Sequence, residues 1–245
     1  SQTLFVWERT GRQTQFATLR VRGPARKRSF PVTRVLKQSL GTRRKQARAI
    51  IESTRKPRQD RQMPEYRRIV LKLLALLLHY PDDELAGSLN EIEEEIERFS
   101  SLPGKDILTG FFTYLKGKPL ARVQEEYIVT FDMNTAMSLN LTYHLVGDDK
   151  KRGAALAKLQ QIYRGMDCEL LSGELPDYLP IMLEFWSICP AEIFKEMAVE
   201  YREPIAILAA GLQEAQSPYA GLLRLTGELL DAQIDDHALN SRQPP

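Results

Sequence analysis

Cysteine, histidine and long apolar runs are all scarce in this 245-residue chain, and each scarcity removes a class of function. Two cysteines, Cys168 and Cys189, are too few for a disulfide scaffold or a four-cysteine zinc site. Their spacing fits no redox or metal pattern, so they read as ordinary thiols in a reducing compartment. The three histidines, His79, His144 and His237, stand far apart, and no metal-box spacing supports a ligand set. The longest apolar stretch, residues 69–78, is interrupted by Lys72 and is half the length of about 20 residues that spans a bilayer. No apolar core follows a basic start in the first 30 residues, and the pair Arg43 and Arg44 lacks the hydrophobic stretch of a twin-arginine signal. The expectation is a cytoplasmic protein with no stable membrane insertion. Glycine-rich phosphate loops, the His-Glu-x-x-His box and the Gly-x-Ser-x-Gly elbow are also missing. The adjacent acids Glu125 and Glu126, Asp148 and Asp149, and Asp235 and Asp236 point about 100° apart on a helix and do not converge on one substrate. No catalytic residue, no metal site and no enzyme are expected.

What is present is a division of charge. The formal net charge of +2 hides a leader, residues 1–62, with 17 Lys and Arg against three acids, a net +14. Residues 63–245 carry 17 Lys and Arg against 29 acids, a net −12. Only 18 of the first 62 residues are apolar, too few for an independent core, and basic clusters recur there without sustained periodicity. A short amphipathic helix fits residues 36–51. The leader is expected to be a disordered, low-order arm. Because the first Met is Met63, at the composition switch, it also fits an upstream extension outside the native protein. Clustered cations with Phe5, Trp7, Phe16 and Phe30 leave a nucleic-acid-binding regulator acting through this arm as the alternative from another class.

After Met63 the apolar spacing becomes helical. Pro64 suits a first turn before Val70, Leu73, Leu74, Leu77 and Leu78. Asp82 or Asp83 suits the cap of a helix with core positions Leu85, Leu89, Ile92, Ile96 and Phe99, leaving the acids of residues 91–97 as a solvated face. Ile107 to Leu115, Leu120 to Phe131, and Leu139 to Val146 give further short faces, and Asp148 or Asp149 suits the cap of a helix through Tyr163. Residues 165–175 are irregular. Residues 176–189 resume helix with Pro180 as a kink or first-turn residue. Stretches 193–201, 204–215 and 218–234 complete the set, the last entered through Ser217 and Pro218. No strand alternation appears. The reading is an all-α domain over residues 63–245, a single compact unit of nine or ten helices.

One stretch is more particular than generic helix. Residues 125–153 read EEYIVTFDMNTAMSLNLTYHLVGDDKKRG, placing Tyr127, Phe131, Asp132, Ser138, Leu139, Leu141, His144, Gly147, Asp148, Arg152 and Gly153 in order. A second block runs Glu174, Leu175, Pro176, Asp177, Tyr178, Leu179, Pro180, then Leu183, Glu184 and Phe185. A third pairs Pro204 to Leu208 with Ser217, Pro218, Tyr219 and Ala220, and residues 73–85, LLALLLHYPDDEL, form an opening helix and turn. Together these blocks resemble the NarJ family, the delta chain of respiratory nitrate reductase, within the TorD-like class. The resemblance covers about residues 66–234.

The resemblance implies an all-helical, TorD-like chaperone that is not part of the finished enzyme. Such proteins bind the apo catalytic subunit of nitrate reductase, notably its N-terminal leader peptide, keep it competent for molybdenum cofactor insertion and delay its membrane attachment. No cofactor is then bound permanently, and a homodimer is compatible with the reading. The runner-up is a chaperone of another molybdoenzyme. The candidate peptide-binding residues are Tyr127, Phe131, Asp132, Leu139, His144, Arg152, Glu174, Leu175, Pro176, Asp177, Leu179, Pro180 and Glu184. Tyr127, Phe131 and Leu139 are assigned to line or support an apolar groove, Asp132, Glu174 and Asp177 to rim or cap it, and Pro176 and Pro180 to stiffen it. Plain core packing competes for Tyr127 and Phe131, helix capping for Asp132, a hydrogen-bonded core position for His144, and pairing with Asp148 for Arg152.

Overall fold

The computed structural model describes the backbone of residues 2–5, 8–10, 13–15, 18–21, 63–99, 101–147, 150–170 and 174–240, with side chains given between residues 63 and 235 of these. In the leader this amounts to four short strands, β1 (Gln2–Phe5), β2 (Glu8–Thr10), β3 (Gln13–Gln15) and β4 (Thr18–Val21), so the expectation for residues 1–62 falls largely outside the described residues. Helix dominates everything described after residue 62.

The first helix, α1 (Glu65–Leu78), stops before a Tyr80-Pro81 step that favours extended backbone. Pro64 occupies its cap position rather than its first turn. In α2 (Asp83–Glu97), the Asp82 carboxylate accepts from the Leu85 amide at 2.8 Å, the N-cap bond that a short acid before an apolar run is built to make. Leu85, Leu89, Ile92 and Ile96 are buried, and the acids between them pair outward, Glu93 with Lys116, Glu95 with Arg98, and Glu97 with Lys105. Gly104, at φ 70°, makes the turn into α3 (Lys105–Lys116), and a Cβ there would lie 2.4 Å from Leu225 Cδ2. Glycine is required at this point on both counts.

α4 (Leu120–Tyr127) passes directly into a π-helical turn over Ile128–Asp132, followed by a 3₁₀ turn at Thr135–Met137. Then come α5 (Leu141–Val146), α6 (Lys150–Gly165), the short strand β5 (Cys168–Leu170) and α7 (Leu179–Trp186). The expected caps Asp148 and Asp149 lie outside the described residues. β5 pairs antiparallel with β4, so the stretch read as irregular contains three residues of extended backbone. Pro180 falls at the first turn of α7, where its missing N–H is harmless.

Sequence spacing divides residues 193–215 at Pro204, but the structure has one helix, α8 (Ala191–Glu214), running through it. Proline removes a single i to i−4 bond. The buried stripe Met197, Tyr201, Pro204, Ile205, Leu208 and Leu212 keeps both halves on one packing surface, and that burial outweighs the lost bond. A turn with Gln216 at φ 51° and the Ser217 hydroxyl accepting from Tyr219 N leads into α9 (Ala220–Asn240). α8 and α9 form the most extensive helix pair, α1 packs on α7 and α9, and α3 also packs on α9. One contiguous core extends from Met63 to Leu230. No helix among the described residues is long and apolar enough to cross a membrane.

Candidate functional site

The two blocks singled out in the sequence meet in space, joined by a buried carboxylate. Asp177 is 0% exposed. It accepts from Asn140 Nδ2 at 3.1 Å, from Thr142 N at 3.2 Å and from the Thr142 hydroxyl, with Arg152 Nη2 at 3.5 Å as its counter-ion. Arg152 Nε also donates to Thr142 Oγ1 at 3.2 Å. The backbones are stitched alongside. Leu141 N donates to Asp177 O at 3.0 Å, Leu179 N to Leu139 O at 2.8 Å, and Asn140 bridges to Tyr178.

Asp177 is therefore a helix cap acting across 35 residues of sequence, since it satisfies the open amide near the start of α5, a helix too short to persist alone. Its carboxylate caps α5 from within the core, and no part of it reaches solvent. Arg152, on α6, supplies the charge partner of this buried acid across 25 residues of sequence, while its expected partner Asp148 lies outside the described residues.

Two tyrosines lash neighbouring backbone to this frame. Tyr163 donates to Pro176 O at 2.7 Å, and Tyr127 donates to Leu78 O at 2.9 Å while meeting the Tyr178 hydroxyl at 3.0 Å. Burial holds both the Tyr127 and Tyr163 hydroxyls well above the ordinary phenol range, so they act as neutral donors. Tyr127 and Phe131 stack within an aromatic cluster with Tyr219, at centroid distances of 4.9 Å for Tyr127–Phe131 and 4.9 Å for Phe131–Tyr219. Leu139, Pro176, Leu179 and Pro180 are buried as well. His144 is half-buried, with Nε2 2.7 Å from Ser138 O, which fixes the loop ahead of α5.

The remaining candidates divide by exposure. Asp132 stands exposed at the end of the π turn, Glu174 is half-buried and Leu175 is exposed. Glu184 lies elsewhere, on α7 facing α1, with a buried Oε2 that has no hydrogen-bond partner. Burial pushes its carboxyl well above the usual carboxylate range, and Lys72 opposes the shift.

Sequence spacing missed the residues that face outward. The π turn closes through Met133 N to Ile128 O at 2.9 Å, and its wider winding keeps Tyr127 and Phe131 inside while sending Val129 and Met133 to solvent, 62% and 75% exposed. Met137 lies over Gly211 of α8, so the 3₁₀ turn abuts that helix, where Ile207 is also exposed. The one available signal was the apolar pair Val129 and Met133 four residues apart, off the stripe of Tyr127 and Phe131. Among the described residues no three His, Cys, Asp or Glu converge as a ligand set. Cys168 and Cys189 are buried, and burial pushes each thiol up to about 12, far from reactive thiolate character.

These features define a helical protein whose signature residues build and brace its own framework beside an exposed apolar turn, rather than a reacting centre. The family described as nitrate reductase delta subunit matches residues 81–224, and the chain belongs to that family. It is 34% identical over 169 residues to the nitrate reductase molybdenum cofactor assembly chaperone NarJ of Escherichia coli K12, covering 68% of this chain and 72% of that one. It is 32% identical over 160 residues to the probable chaperone NarJ of Bacillus subtilis, covering 65% of this chain and 86% of the relative. It also matches the nitrate reductase-like protein NarX of Mycobacterium tuberculosis, 33% identical over 152 residues, where the match spans 62% of this chain and only 23% of that longer protein.

Proposed function

We propose that this chain is an assembly chaperone dedicated to a respiratory nitrate reductase, acting in the cytoplasm. It binds the catalytic subunit before that subunit is complete, engages the N-terminal leader peptide, supports insertion of the molybdenum cofactor and delays docking with membrane partners. It holds no cofactor of its own and catalyses nothing. The observation that carries this reading is the similarity to named molybdenum cofactor assembly chaperones over 72% and 86% of their lengths.

The geometry supplies a means. An amphipathic leader helix lays its apolar side on the exposed Val129, Met133 and Leu175, while Asp132 and Glu174 meet its basic residues. Tyr127, Phe131, Leu139, Pro176, Asp177, Leu179 and Pro180 serve this surface from behind, as the rigid support that keeps the outward residues in place. His144 and Arg152 hold the loop and α5 in register. Glu184, half-buried on α7 where it faces α1, acts on the stability of that contact.

Titration of the full chain with the leader peptide of its nitrate reductase catalytic subunit tests the proposal. Saturable binding in the micromolar range is expected, and a leader from another molybdoenzyme should bind more weakly. Absence of saturable binding by the folded protein defeats the leader reading, and preference for the other leader reassigns the client.

A further inference from the structure

A recess lies between α6 and α8. It encloses about 290 Å³ and has an apolar floor of Ile162, Met166, Ile193 and Met197, with Lys158, Glu196 and Glu200 at its edge. Residues 193, 197, 200, 204, 208 and 211 follow one stripe of α8. Its later half is buried at Pro204 and Leu208 and covered by Met137 at Gly211, whereas its earlier half opens onto this cleft. Lys158 is held by Glu200 at 2.7 Å, and Glu196 has no ion-pair partner among the described residues. Glu192, one turn earlier, is exposed too. The edge is therefore acidic and the floor is fitted with two adaptable methionine side chains.

We propose that this cleft is a docking site for a segment of the same chain, residues 43–51, which carry Arg43, Arg44, Lys45 and Arg48 with no acid and place Ala47, Ile50 and Ile51 at helical spacing. Ala47, Ile50 and Ile51 cover the methionine floor, and the cations face Glu192, Glu196 and Glu200. Charge complementarity points to this occupant, since the leader carries +14 and residues 63–245 carry −12. Reach permits it. Eleven residues lie between Ile51 and Met63, a span of about 40 Å of extended chain, and a 183-residue domain has a radius of gyration of about 16 Å. The tether raises the local concentration of the segment to the millimolar range, about what a shallow site needs. This inference stands apart from the chaperone reading and requires no client.

Zero-length coupling of amines to carboxylates in the full chain, with a mixture of isotopically light and heavy protein, reads the contact directly. Cross-links from Lys45 to Glu192, Glu196 or Glu200 within one chain are expected, with a yield that falls several-fold in high salt. Methyl resonances of Met166 and Met197 should shift in the variant Ile50→Asp, Ile51→Asp. Links found only between light and heavy chains would assign the cleft to a second copy and overturn the intrachain contact. No link to residues 192–200, together with unmoved methionine signals, would overturn the docking site altogether.

Discussion

Asp177, fully buried, and Glu184, half-buried with one oxygen sealed inside, face opposite fates, and the difference lies in their partners. Asp177 has three donors and Arg152, whereas the inward oxygen of Glu184 has none and its cation, Lys72, is itself partly desolvated. Removing Asp177 strands donors that water cannot reach, though Arg152 keeps some exposure and is partly rehydrated. Asp177→Ala is expected to cost about 2–3 kcal/mol in chemical denaturation. Asp177→Asn keeps the shape and part of the bonding and should cost roughly half of that. Equal losses in the two variants would mean that charge, not bonding, holds the junction.

Glu184 makes the opposite prediction. Desolvation raises its folded pKa above the ordinary 4.5, so the native state holds a proton that the unfolded chain releases. Stability therefore declines as pH rises from about 4.5 through the folded pKa. Burial lowers the Lys72 pKa from 10.5, which works the other way but only toward that alkaline value. Glu184→Gln removes the penalty, so its advantage in melting temperature over the parent should grow between pH 5 and pH 8. An advantage that stays constant across that range would show that Glu184 does not titrate there.

At the scale of elements, the turn between α2 and α3 is the most sharply constrained. Gly104→Ala must adopt a positive φ and also push aside Leu225, which is buried in α9. A loss of about 2–3 kcal/mol is expected from strain and overpacking together. Adding Leu225→Ala should relieve the clash but leave the backbone strain, so the double variant ought to be less destabilised than the sum of the singles. Strict additivity would show that Leu225 moves freely.

Apolar period and capping chemistry made most elements legible beforehand. Asp82 before Leu85, Ser217 before Tyr219, and the 3–4 spacing from Leu85 to Ile96 all read correctly because they are local signals. What failed was non-local. Pro204 reads as a break because its lost bond is visible in sequence, while the α9 surface that keeps α8 continuous is not. The contact of Arg152 with Asp177 is equally hidden from local spacing, because it requires two distant blocks to fold together first. The π turn was invisible for a related reason, since Tyr127 and Phe131 have the spacing of an ordinary helix and only the outward turn of Val129 and Met133 reveals the altered winding.

For the whole molecule, the division between buried signature residues and exposed apolar ones decides how binding and stability should separate. Tyr127, Phe131 and Tyr219 are core, so Phe131→Ala is expected to cost about 3 kcal/mol or more and to weaken binding only by unfolding the protein. Val129 and Met133 support little of the fold, so Val129→Asp with Met133→Asp should leave the melting temperature within a few degrees of the parent. The same pair removes apolar contact and adds negative charge, so the sign of its effect on a basic amphipathic leader tests which force dominates. If apolar burial supplies the affinity, binding falls by roughly tenfold or more despite the added acids, because losing two side chains of contact outweighs about 1 kcal/mol of screened surface attraction. If the acidic field of residues 63–245 supplies it, the variant binds as well as the parent or better at low salt. A titration at two ionic strengths separates the cases: an apolar contact loses affinity in the variant at both, whereas an electrostatic one loses it only with salt. Unchanged binding in the variant at high salt would remove the π turn from the docking surface and leave the chain's affinity for its client to be sought on another face.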